Sequence, residues 1–517
     1  MMKQPSQEKI LILDFGSQYT QLIARRVREA SVYSEIVDSA TPAEQLRAQE
    51  PSGLILSGGP ASVYDPDAPV CDPELIGLGV PILGVCYGFQ LITRHLGGNV
   101  EQSGSREYGP AELSRQSENA LLAGVPAHSK VWMSHADEVT RPAPGFNVIG
   151  SSRSIPNAAV CDPTRRIWGV QFHPEVVHTE FGKRIIRNFA REICACGGNW
   201  TPRAYIDVAT EEIRRQVGDR GVLLGLSGGV DSAVAAMLLH RAIGDQLTCV
   251  FVDNGVLRLN EASRLLELFR QHFRVNVTFA DSGDEFLARL AGKTDPEEKR
   301  KIIGNYFVEV FREAAKALPN ARFLAQGTTY PDVIESSGIG RHADNIKSHH
   351  NVGGLPAELG FDELVEPLKM LFKDEVRALG SELGLPDEVV WRHPFPGPGL
   401  AVRILGEVTR ERVQILQAAD SIVMQEMKSA GWYRKVWQSF AVLLPVCTVG
   451  VMGDNRTYEN AVALRVVQSS DGMTADWVQL PHELLGRIST RIINEVPGIN
   501  RVVYDITSKP PGTIEWE

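Results

Sequence analysis

Apolar and polar positions in the first third of the chain follow a pattern of alternating strands and helices. Residues 10–13 form a continuous apolar run, which is typical of a strand buried on both faces. Apolar residues then recur at the spacing of a helix, at Tyr19, Leu22, Ile23 and Val27. Further apolar runs predict strands at 53–56, 80–85 and 167–172. The order of these elements predicts a mostly parallel sheet with helices on its faces.

Two interruptions of this pattern predict domain boundaries. The first is Gly197-Gly198-Asn199, after which a strand, a glycine loop, a helix and a strand are predicted within 222–252. The second is 393–399, where the prolines of His-Pro-Phe-Pro-Gly-Pro-Gly exclude regular structure. We therefore predict an α/β protein in which two doubly wound, mostly parallel-sheet domains, 9–199 and 200–392, precede a small α+β domain, 393–517.

Composition narrows the class of protein without indicating an activity. The 517 residues suggest about three domains at roughly 150 residues each, and 43% hydrophobic with 22% charged residues is ordinary for a globular protein. No apolar run reaches the ~20 residues of a membrane helix, and the first residues do not resemble a signal peptide. The seven scattered cysteines predict reduced thiols and a cytoplasmic protein. A formal net charge of −10 argues against non-specific nucleic-acid binding.

One cysteine occupies the position of an exposed nucleophile. Cys86 directly follows a predicted buried strand and precedes a helix, and Gly84 and Gly88 permit a sharp turn there. Unpaired N–H groups at a helix start stabilise a thiolate. His173 and Glu175 follow another strand, so the imidazole could deprotonate the thiol while the carboxylate orients it. Because ligand sites concentrate where parallel strands end, these segments are expected to meet.

These motifs resemble those of the class I glutamine amidotransferases. The resemblance covers about residues 9–196 and is carried by Gly-Val-Cys86-Tyr-Gly-Phe-Gln and by Phe-His173-Pro-Glu175. It implies that the cysteine attacks the side-chain amide of glutamine, releases ammonia and forms a glutamyl thioester. It also implies that the backbone amides of Gly59, in Ser-Gly-Gly-Pro, and of Tyr87 hold the oxyanion.

A second motif is a strand, a glycine loop and a helix start at 222–233. Backbone N–H groups of such a loop cradle phosphate, but the lysine of a Walker A motif is absent. The carboxylate of Asp231 favours a bridging Mg²⁺. The string resembles the signature of the ATP pyrophosphatases, which transfer AMP to an oxygen and release pyrophosphate. The implied ATP contacts are Ser227, Gly228, Gly229, Val230, Asp231, Ser232 and Ala233.

Three further features are assigned less directly. Lys373 matches a lysine of the ATP pyrophosphatases that reaches the phosphates of ATP. Asp253 ends a predicted strand and either borders the adenosine of ATP or forms an Asx turn with Gly255. The polar, glycine-rich segment 346–356 is predicted to be a lid.

The last segment of the chain is unusually rigid and apolar. It combines a predicted strand, Pro510-Pro511 and Trp516, which indicates that it is docked. With residues 295–304 and 393–399, it resembles the glutamine-hydrolysing GMP synthetases over essentially the whole chain. The resemblance implies conversion of XMP, ATP, glutamine and water into GMP, AMP, pyrophosphate and glutamate, and a dimer formed through the third domain. The implied XMP contacts are Arg300, Lys509, Ile514 and Glu515.

Other readings of the residues stay open at this point. Another amidotransferase, acting on a deamido-NAD or aspartyl acceptor, would share both motifs and differ only in the acceptor site. A sulfur transferase that modifies RNA would need a basic platform, which the acidic charge disfavours. Two departures from the amidotransferase and GMP synthetase patterns, Ala136 and Asn455 where glycine is expected, are minor and do not undermine the resemblance.

Overall fold

The computed structural model describes residues 8–318, 320–337, 361, 363–452, 454–469, 472 and 474–517. The chain forms two compact units. Among these residues, the first unit comprises 8–208, 329–337 and 369–372, and the second comprises 209–328, 361, 363–368 and 373 onward. No helix of the described residues is long and apolar enough to cross a membrane. The predicted boundaries of three domains, at 199 and 392, stay predictions.

A nine-stranded sheet forms the centre of the first unit. Its strand order is β2-β1-β3-β4-β9-β8-β7-β5-β6, in which β2, β1, β3, β4 and β9 are parallel and the remaining neighbours are antiparallel. The strands are β1 Lys9–Asp14, β2 Tyr33–Asp38, β3 Gly53–Leu56, β4 Ile82–Val85, β5 Asn99–Arg115, β6 His128–Arg141, β7 Asn147–Ser151, β8 Ala159–Asp162 and β9 Ile167–Val170. The parallel part was predicted, whereas the long antiparallel pair of β5 and β6 was not.

The helices of this unit cover the parallel strands. They are α1 Thr20–Glu29, α2 Ala43–Ala48, α3 Tyr87–His95 and α4 Gly182–Arg187, which continues as a π-helix over Asn188–Ile193. A 3₁₀-helix spans Pro73–Leu78, and α10 Tyr330–Ser337 also belongs to this unit. Residues 10–13 are wholly buried, as expected for a strand covered on both faces.

A five-stranded parallel sheet, ordered β12-β11-β10-β13-β14, forms one half of the second unit. Its strands are β10 Gly221–Leu226, β11 Leu247–Asp253, β12 Val277–Asp281, β13 Ala321–Ala325 and β14 Glu363–Val365. The helices are α5 Pro202–Val217, which spans the division between the units, α6 Val230–Ile243, α7 Glu261–Leu266, α8 Gly283–Leu290, α9 Pro296–Lys316, α11 Lys373–Glu382 and α12 Asp387–Val390. Shorter helical turns lie at Gly244–Gln246 and Glu267–His272.

A four-stranded mixed sheet forms the other half of this unit. β15 Gln438–Met452 and β16 Asn455–Gln468 form a long antiparallel hairpin, β17 Asp476–Trp477 extends it, and β18 Ile499–Asp505 pairs with β16 in parallel. The helices α13 Arg410–Ser429 and α14 His482–Glu495 accompany this sheet. Residues 393–398 of the predicted irregular run 393–399 are irregular, whereas Gly399, its last residue, begins a 3₁₀-helix at Gly399–Arg403. Asn455, one of the two departures, begins β16 opposite Met452.

Candidate active sites

Cys86 lies in the sharp turn between β4 and α3, and the strain of that turn is carried by the cysteine itself. Its φ is 48° and its ψ is −105°, in a region that residues other than glycine rarely adopt. Its backbone N–H donates to the carbonyl oxygen of Val170 at 2.8 Å, which ties the turn to the neighbouring strand β9. A backbone held in this way costs about 1–3 kcal/mol and is characteristic of functional turns.

The flanking glycines are required because other backbone approaches them closely. A Cβ atom at Gly84 would lie 2.7 Å from the backbone of Phe89, and one at Gly88 would lie 2.4 Å from the carbonyl oxygen of Leu56. Neither glycine has a positive φ. The sequence prediction that both glycines serve the turn is therefore supported, although their contribution is space rather than backbone freedom.

His173 and Glu175 form a buried pair beside Cys86. The Nδ1 of His173 lies 2.7 Å from Oε1 of Glu175, whose side chain is wholly buried. Burial acts to lower the pKa of His173, but the charges of Glu175 and Cys86, and hydrogen bonds to both, raise it well above its usual value. The arrangement therefore favours the imidazolium form of His173 beside the sulfur of Cys86. A neighbouring imidazolium is one of the features that make a cysteine nucleophilic.

The residues predicted to hold an oxyanion adjoin the cysteine. Tyr87 is the first residue of α3, where a backbone N–H has no acceptor within the helix. The Gly59 loop packs on Tyr87, since a Cβ atom at Gly59 would lie 3.3 Å from the tyrosine ring. A Cβ atom at Gly58 would lie 3.0 Å from the imidazole of His173. The loop thus adjoins both the helix start and the histidine, and the oxyanion role stays a prediction.

Two contacts of the thiol were not predicted from the sequence. The Sγ of Cys86 lies 3.6 Å from the carbonyl oxygen of Ser134 and 3.9 Å from Nε2 of Gln171. Gln171 lies two positions before His173, and this spacing is the feature of the sequence that could have identified Gln171. Ser134 contributes backbone, which leaves no signal in its residue type. Ala136, the other departure, is partly buried two residues further along the same strand.

The glycine loop after β10 closes on itself through two serines. The backbone N–H of Ser227 donates to Oγ of Ser232 at 3.2 Å, and the two hydroxyls lie 3.1 Å apart. Gly228 has a φ of +75°, which favours glycine. Its carbonyl oxygen accepts from Arg392 at 2.7 Å, and Arg392 also pairs with Glu261 at 2.5 Å. Residues 230–233 begin α6, so the loop ends at a helix N-terminus, as predicted.

Lys373 and Asp231, which the sequence placed at the phosphates and at a metal, contact each other. The Nζ of Lys373 pairs with Oδ2 of Asp231, while Oδ1 of Asp231 is buried and has no partner among the described residues. A buried, unpartnered carboxylate oxygen fits a cation such as Mg²⁺. Within the described part of the chain, no group of three or more His, Cys, Asp or Glu side chains could hold a metal.

Two of the less direct assignments have different outcomes. Oδ1 of Asp253 accepts from the backbone N–H of Gly255 at 2.8 Å, which is the Asx turn that the sequence left as one of two readings. Burial raises the pKa of Asp253 above its usual value. The predicted lid, 346–356, lies outside the described residues.

The last residues of the chain are docked, as the sequence predicted, and two predicted XMP contacts lie in that docking region. Nη2 of Arg300 donates to the backbone oxygen of Glu517 at 2.5 Å. Both carboxylate oxygens of Glu515 accept from Arg403, at 2.8 and 2.9 Å. The wholly buried Lys299 pairs with Oε2 of Glu517 at 2.5 Å. Arg403 and Lys299 were not assigned from the sequence, because buried charges cannot be told from solvated ones there.

The other two predicted XMP contacts have separate surroundings. The Nζ of Lys509 donates to the carbonyl oxygen of Gly472 at 2.8 Å. Ile514 packs against a small apolar cluster formed by Phe440, Val442 and Ala463. Neither of these contacts involves Arg300, so the joint role of the four residues in XMP binding stays a prediction.

Proteins of known family match the chain along most of its length. Family models match it at 11–193 (glutamine amidotransferase class-I), at 203–279 (NAD synthase) and at 425–516 (GMP synthase C terminal domain). Among curated relatives, a GMP synthase (glutamine-hydrolyzing) of Nitratidesulfovibrio vulgaris strain DP4 is 58% identical and covers 99% of this chain and 100% of its own. The protein of the same name from Thermosynechococcus vestitus is 59% identical over 98% of this chain and 96% of its own.

Solved structures also match about a third of the chain. The structure of a glutamine amidotransferase from Thermotoga maritima is 18% identical, covers 37% of this chain and 99% of its own, and has a TM-score of 0.30.

Proposed function

This chain belongs to the family of glutamine-hydrolysing GMP synthases, and from that membership we propose that it converts XMP, ATP, glutamine and water into GMP, AMP, pyrophosphate and glutamate. One observation supports this function above the others. A buried thiol–imidazole–carboxylate arrangement and a serine-rich phosphate loop occur in the same chain. The first supplies ammonia, and the second activates the acceptor by adenylation.

Glutamine hydrolysis is assigned to Cys86, His173 and Glu175. The thiolate of Cys86 attacks the side-chain amide carbon of glutamine, and the N–H groups of Gly59 and Tyr87 stabilise the oxyanion that forms. The imidazolium of His173 gives its proton to the departing ammonia. It then takes a proton from the water that hydrolyses the thioester to glutamate. Glu175 holds the imidazole by its Nδ1 and stabilises the positive charge.

Adenylation is assigned to the loop 227–233 and to Lys373. The oxygen at the 2-position of xanthine attacks the α-phosphorus of ATP, and pyrophosphate departs. Ammonia then attacks the carbon at the 2-position of the purine and displaces AMP, giving GMP and a proton. The loop N–H groups and the ammonium of Lys373 bind the phosphates. Mg²⁺, when bound at Asp231, neutralises phosphate charge, and the unpartnered Oδ1 of that residue supports this assignment.

A dimer through the mixed sheet of the second unit belongs to the same proposal. Val449 and Tyr458 are directly paired between β15 and β16, yet 47% and 71% of their surfaces are exposed, and Val451 is 75% exposed. An apolar strip of this kind on a sheet suits a second copy of the chain. We expect Tyr458→Asp to shift the wild-type dimer toward monomer in light scattering, with Tyr64→Asp, at an exposed tyrosine of the other unit, as the control. A wild-type monomer would contradict the proposal.

The decisive experiment is product analysis with purified protein. ATP, Mg²⁺ and ammonium are supplied with XMP, deamido-NAD or aspartate as the acceptor. We expect GMP, AMP and pyrophosphate to appear together with XMP only. Turnover of deamido-NAD instead would retain the two-site chemistry, including the likeness of 203–279 to NAD synthase, and would overturn the acceptor.

Two variants separate the sites. Cys86→Ala should abolish synthesis from glutamine and preserve synthesis from ammonium, because only ammonia release needs the thiol. Asp231→Ala should abolish AMP formation with either nitrogen source. If a folded Cys86→Ala protein loses both activities, the assignment of separate sites is wrong. A cytoplasmic location, where thiols stay reduced, suits this chemistry and belongs to the proposal.

A further inference from the structure

Arg392 joins the loop 227–233 to a buried glutamate. Its Nη1 donates to the carbonyl oxygen of Gly228 at 2.7 Å, and its Nη2 lies 2.5 Å from Oε1 of Glu261. The arginine reaches the loop from 164 positions further along the chain, and its side chain is only 16% exposed. The bond from Arg392 therefore restrains the loop from outside, whereas the two serines restrain it from within.

Glu261 is itself held in place, so the arginine has a fixed partner. Its side chain is 7% exposed, and its second oxygen, Oε2, accepts from the backbone N–H of Arg258 at 3.1 Å. The guanidinium thus spans two fixed acceptors, a carboxylate and a peptide oxygen, and both bonds are strengthened by its charge. The direction of the bond from Arg392 to Gly228 is therefore set by the protein before any ligand binds.

This bond fixes the orientation of one peptide group, the one between Gly228 and Gly229. The C=O and N–H of a trans peptide point in opposite directions, so a carbonyl oxygen that faces Arg392 places the N–H of Gly229 on the other side. That N–H lies 3.3 Å from Oγ of Ser227. The side of the carbonyl oxygen also carries Glu261, since a Cβ atom at Gly228 would lie 3.0 Å from its Oε1. Because this carboxylate repels phosphate, the N–H side is the one that suits an anion.

Two glycines in succession leave the opposite orientation of this peptide accessible. Gly228 has a φ of +75°, and Gly229 has a φ of −75° with a ψ of 161°. Turning the peptide plane over would move φ of Gly229 into the positive region, which glycine tolerates and other residues rarely adopt. The turned peptide would present a carbonyl oxygen where phosphate needs an N–H. The residue types leave both orientations open, so a bond from a charged donor outside the loop is what selects one of them.

We propose that Arg392 is a positioning residue that keeps the N–H of Gly229, rather than the carbonyl oxygen of Gly228, directed at the phosphates of ATP, and that Glu261 holds Arg392 for this purpose. This inference rests on the proposed function, in which the loop 227–233 binds ATP. Arg392 does not touch the nucleotide. Its loss reduces the fraction of molecules whose loop is ready for phosphate, and the apparent affinity for ATP falls with that fraction.

The first test is equilibrium binding of MgATP, together with the kinetics of GMP synthesis from ammonium. We expect Arg392→Met to weaken MgATP binding about tenfold or more, because a hydrogen bond from a charged group is lost. The inhibition constant of pyrophosphate should rise by a similar factor, since the same loop holds pyrophosphate. KM for XMP should change less than about twofold, as expected for an independent site.

Arg434→Met is the matched control for this substitution. Arg434 also pairs with a carboxylate, that of Asp387 at 2.6 Å, and lies over an aromatic ring, that of Trp391. Both of these partners lie outside the loop 227–233. Removal of this guanidinium should therefore leave the binding of MgATP and of pyrophosphate unchanged.

A second substitution in the loop distinguishes a turned peptide from a general loosening. Gly229→Ala is compatible with the observed φ of −75° but opposes the positive φ that the turned peptide needs. It places a Cβ atom 3.3 Å from Oγ of Ser227, so it has a cost of its own. That cost cancels when the effect of Arg392→Met is measured with and without Gly229→Ala. In the Gly229→Ala background, we expect Arg392→Met to weaken MgATP binding only about threefold or less.

A double variant keeps the test independent of folding. Arg392→Met leaves the carboxylate of Glu261 buried without its guanidinium, which is destabilising. Arg392→Met combined with Glu261→Gln leaves no such charge, and this variant should weaken MgATP binding by the same factor. Thermal unfolding of every variant identifies effects that come from general destabilisation.

The outcomes separate this inference from the function on which it rests. Unchanged affinities for MgATP and pyrophosphate in a folded Arg392→Met protein, or in the double variant, would overturn the inference. An equal effect of Arg392→Met with and without Gly229→Ala would also overturn it, because a turned peptide would then not be the cause. A rise in KM for XMP without a change for ATP would do the same. Absence of MgATP binding to the wild-type protein would instead overturn the proposed function.

Discussion

His393 begins the proline-rich run 393–398, and its environment suits only the neutral imidazole. Its Nε2 lies 2.7 Å from the carbonyl oxygen of Tyr433, while Nδ1 faces the backbone N–H of Ser439 at 3.2 Å. Protonation of Nδ1 would therefore place two donors against each other. Burial, opposed by the bond to Tyr433 and reinforced by the charge of Arg258, lowers the pKa of His393 to about 4.

This pKa predicts a loss of stability on acidification, and its sign follows from the linkage relation. An unfolded histidine, with a pKa of about 6.5, takes up a proton before the folded one does, so the folded state is penalised as pH falls below about 6.5. The stability is complete above that value and is lost as pH falls toward 4. At about 1.4 kcal/mol for each unit of difference, the full loss is about 3 kcal/mol, of which about 2 kcal/mol falls between pH 7 and pH 5.

Hydrogen exchange measures this loss locally, without requiring the two units to unfold together. Peptides that cover 433–445 contain the Ser439 amide, and their protection factors at pH 7 and pH 5 are corrected for intrinsic exchange. A change of about 2 kcal/mol corresponds to about a thirtyfold fall in protection. His393→Gln keeps an amide donor without the titration, so its protection should be lower at pH 7 but should fall much less on acidification.

The pH dependence of protection in the wild-type protein, compared with that in His393→Gln, tests whether His393 titrates as its environment requires. If the wild-type protein and His393→Gln lose the same protection between pH 7 and pH 5, then His393 does not titrate as its environment requires. The other carboxylates and histidines of the chain affect both proteins alike and cancel in the difference.

Two further predictions concern the glutaminase site, and ammonium-dependent synthesis is the internal control for both. Glu175→Gln removes a negative charge that raises the pKa of His173. The alkaline limb of the glutaminase pH profile should therefore move to lower pH, and the rate should fall about a hundredfold or more. An alkaline limb at the wild-type position would contradict the role assigned to Glu175. Gly88→Ala places a Cβ atom 2.4 Å from the carbonyl oxygen of Leu56 and should abolish glutaminase activity. Gly77→Ala is the control, because a Cβ atom at Gly77 would have no neighbour within 4 Å, and it should keep the activity. Equal effects of the two substitutions would refute the steric argument.

The elements that the sequence predicted well are those whose side chains are uniformly apolar. Every residue of the run at 10–13 is buried, and in the strand β10 only Gly221 and Gly225 are not fully buried, so residue type alone identifies both strands. The strand β6 was not predicted, although its buried residues alternate with partly buried or exposed ones. Two of its inward-facing residues, His135 and Asp137, are polar and buried. Burial along β6 therefore alternates with a period of two, but hydropathy does not follow this period, because some of the buried residues are polar.

In the candidate sites too, the residues that could be identified from the sequence are those whose role depends on neighbouring residues in the chain. Cys86 and the loop 227–233 were identifiable because each lies within one strand–turn–helix segment. Lys299 and Arg403 were not, because what removes them from water is packing with residues more than a hundred positions away. Lys299 pairs with Glu517 across 218 positions and Arg403 pairs with Glu515 across 112. No local pattern separates such residues from solvated charges.

The turn at Cys86 and the loop at Gly228 each contain a residue with a positive φ, but the two positions are occupied by different residue types. In the loop 227–233, the role proposed for residue 228 needs its backbone only, and a glycine occupies this positive-φ position. The other turn must carry a sulfur atom, so Cys86 adopts φ 48° with a side chain present. Cys86→Gly should therefore be more stable than Cys86→Ala, by about 1 kcal/mol, although glycine usually destabilises helix-associated positions relative to alanine. Thermal unfolding of the two variants, both inactive as glutaminases, measures the difference. A more stable alanine variant would show that the turn is not strained at this residue.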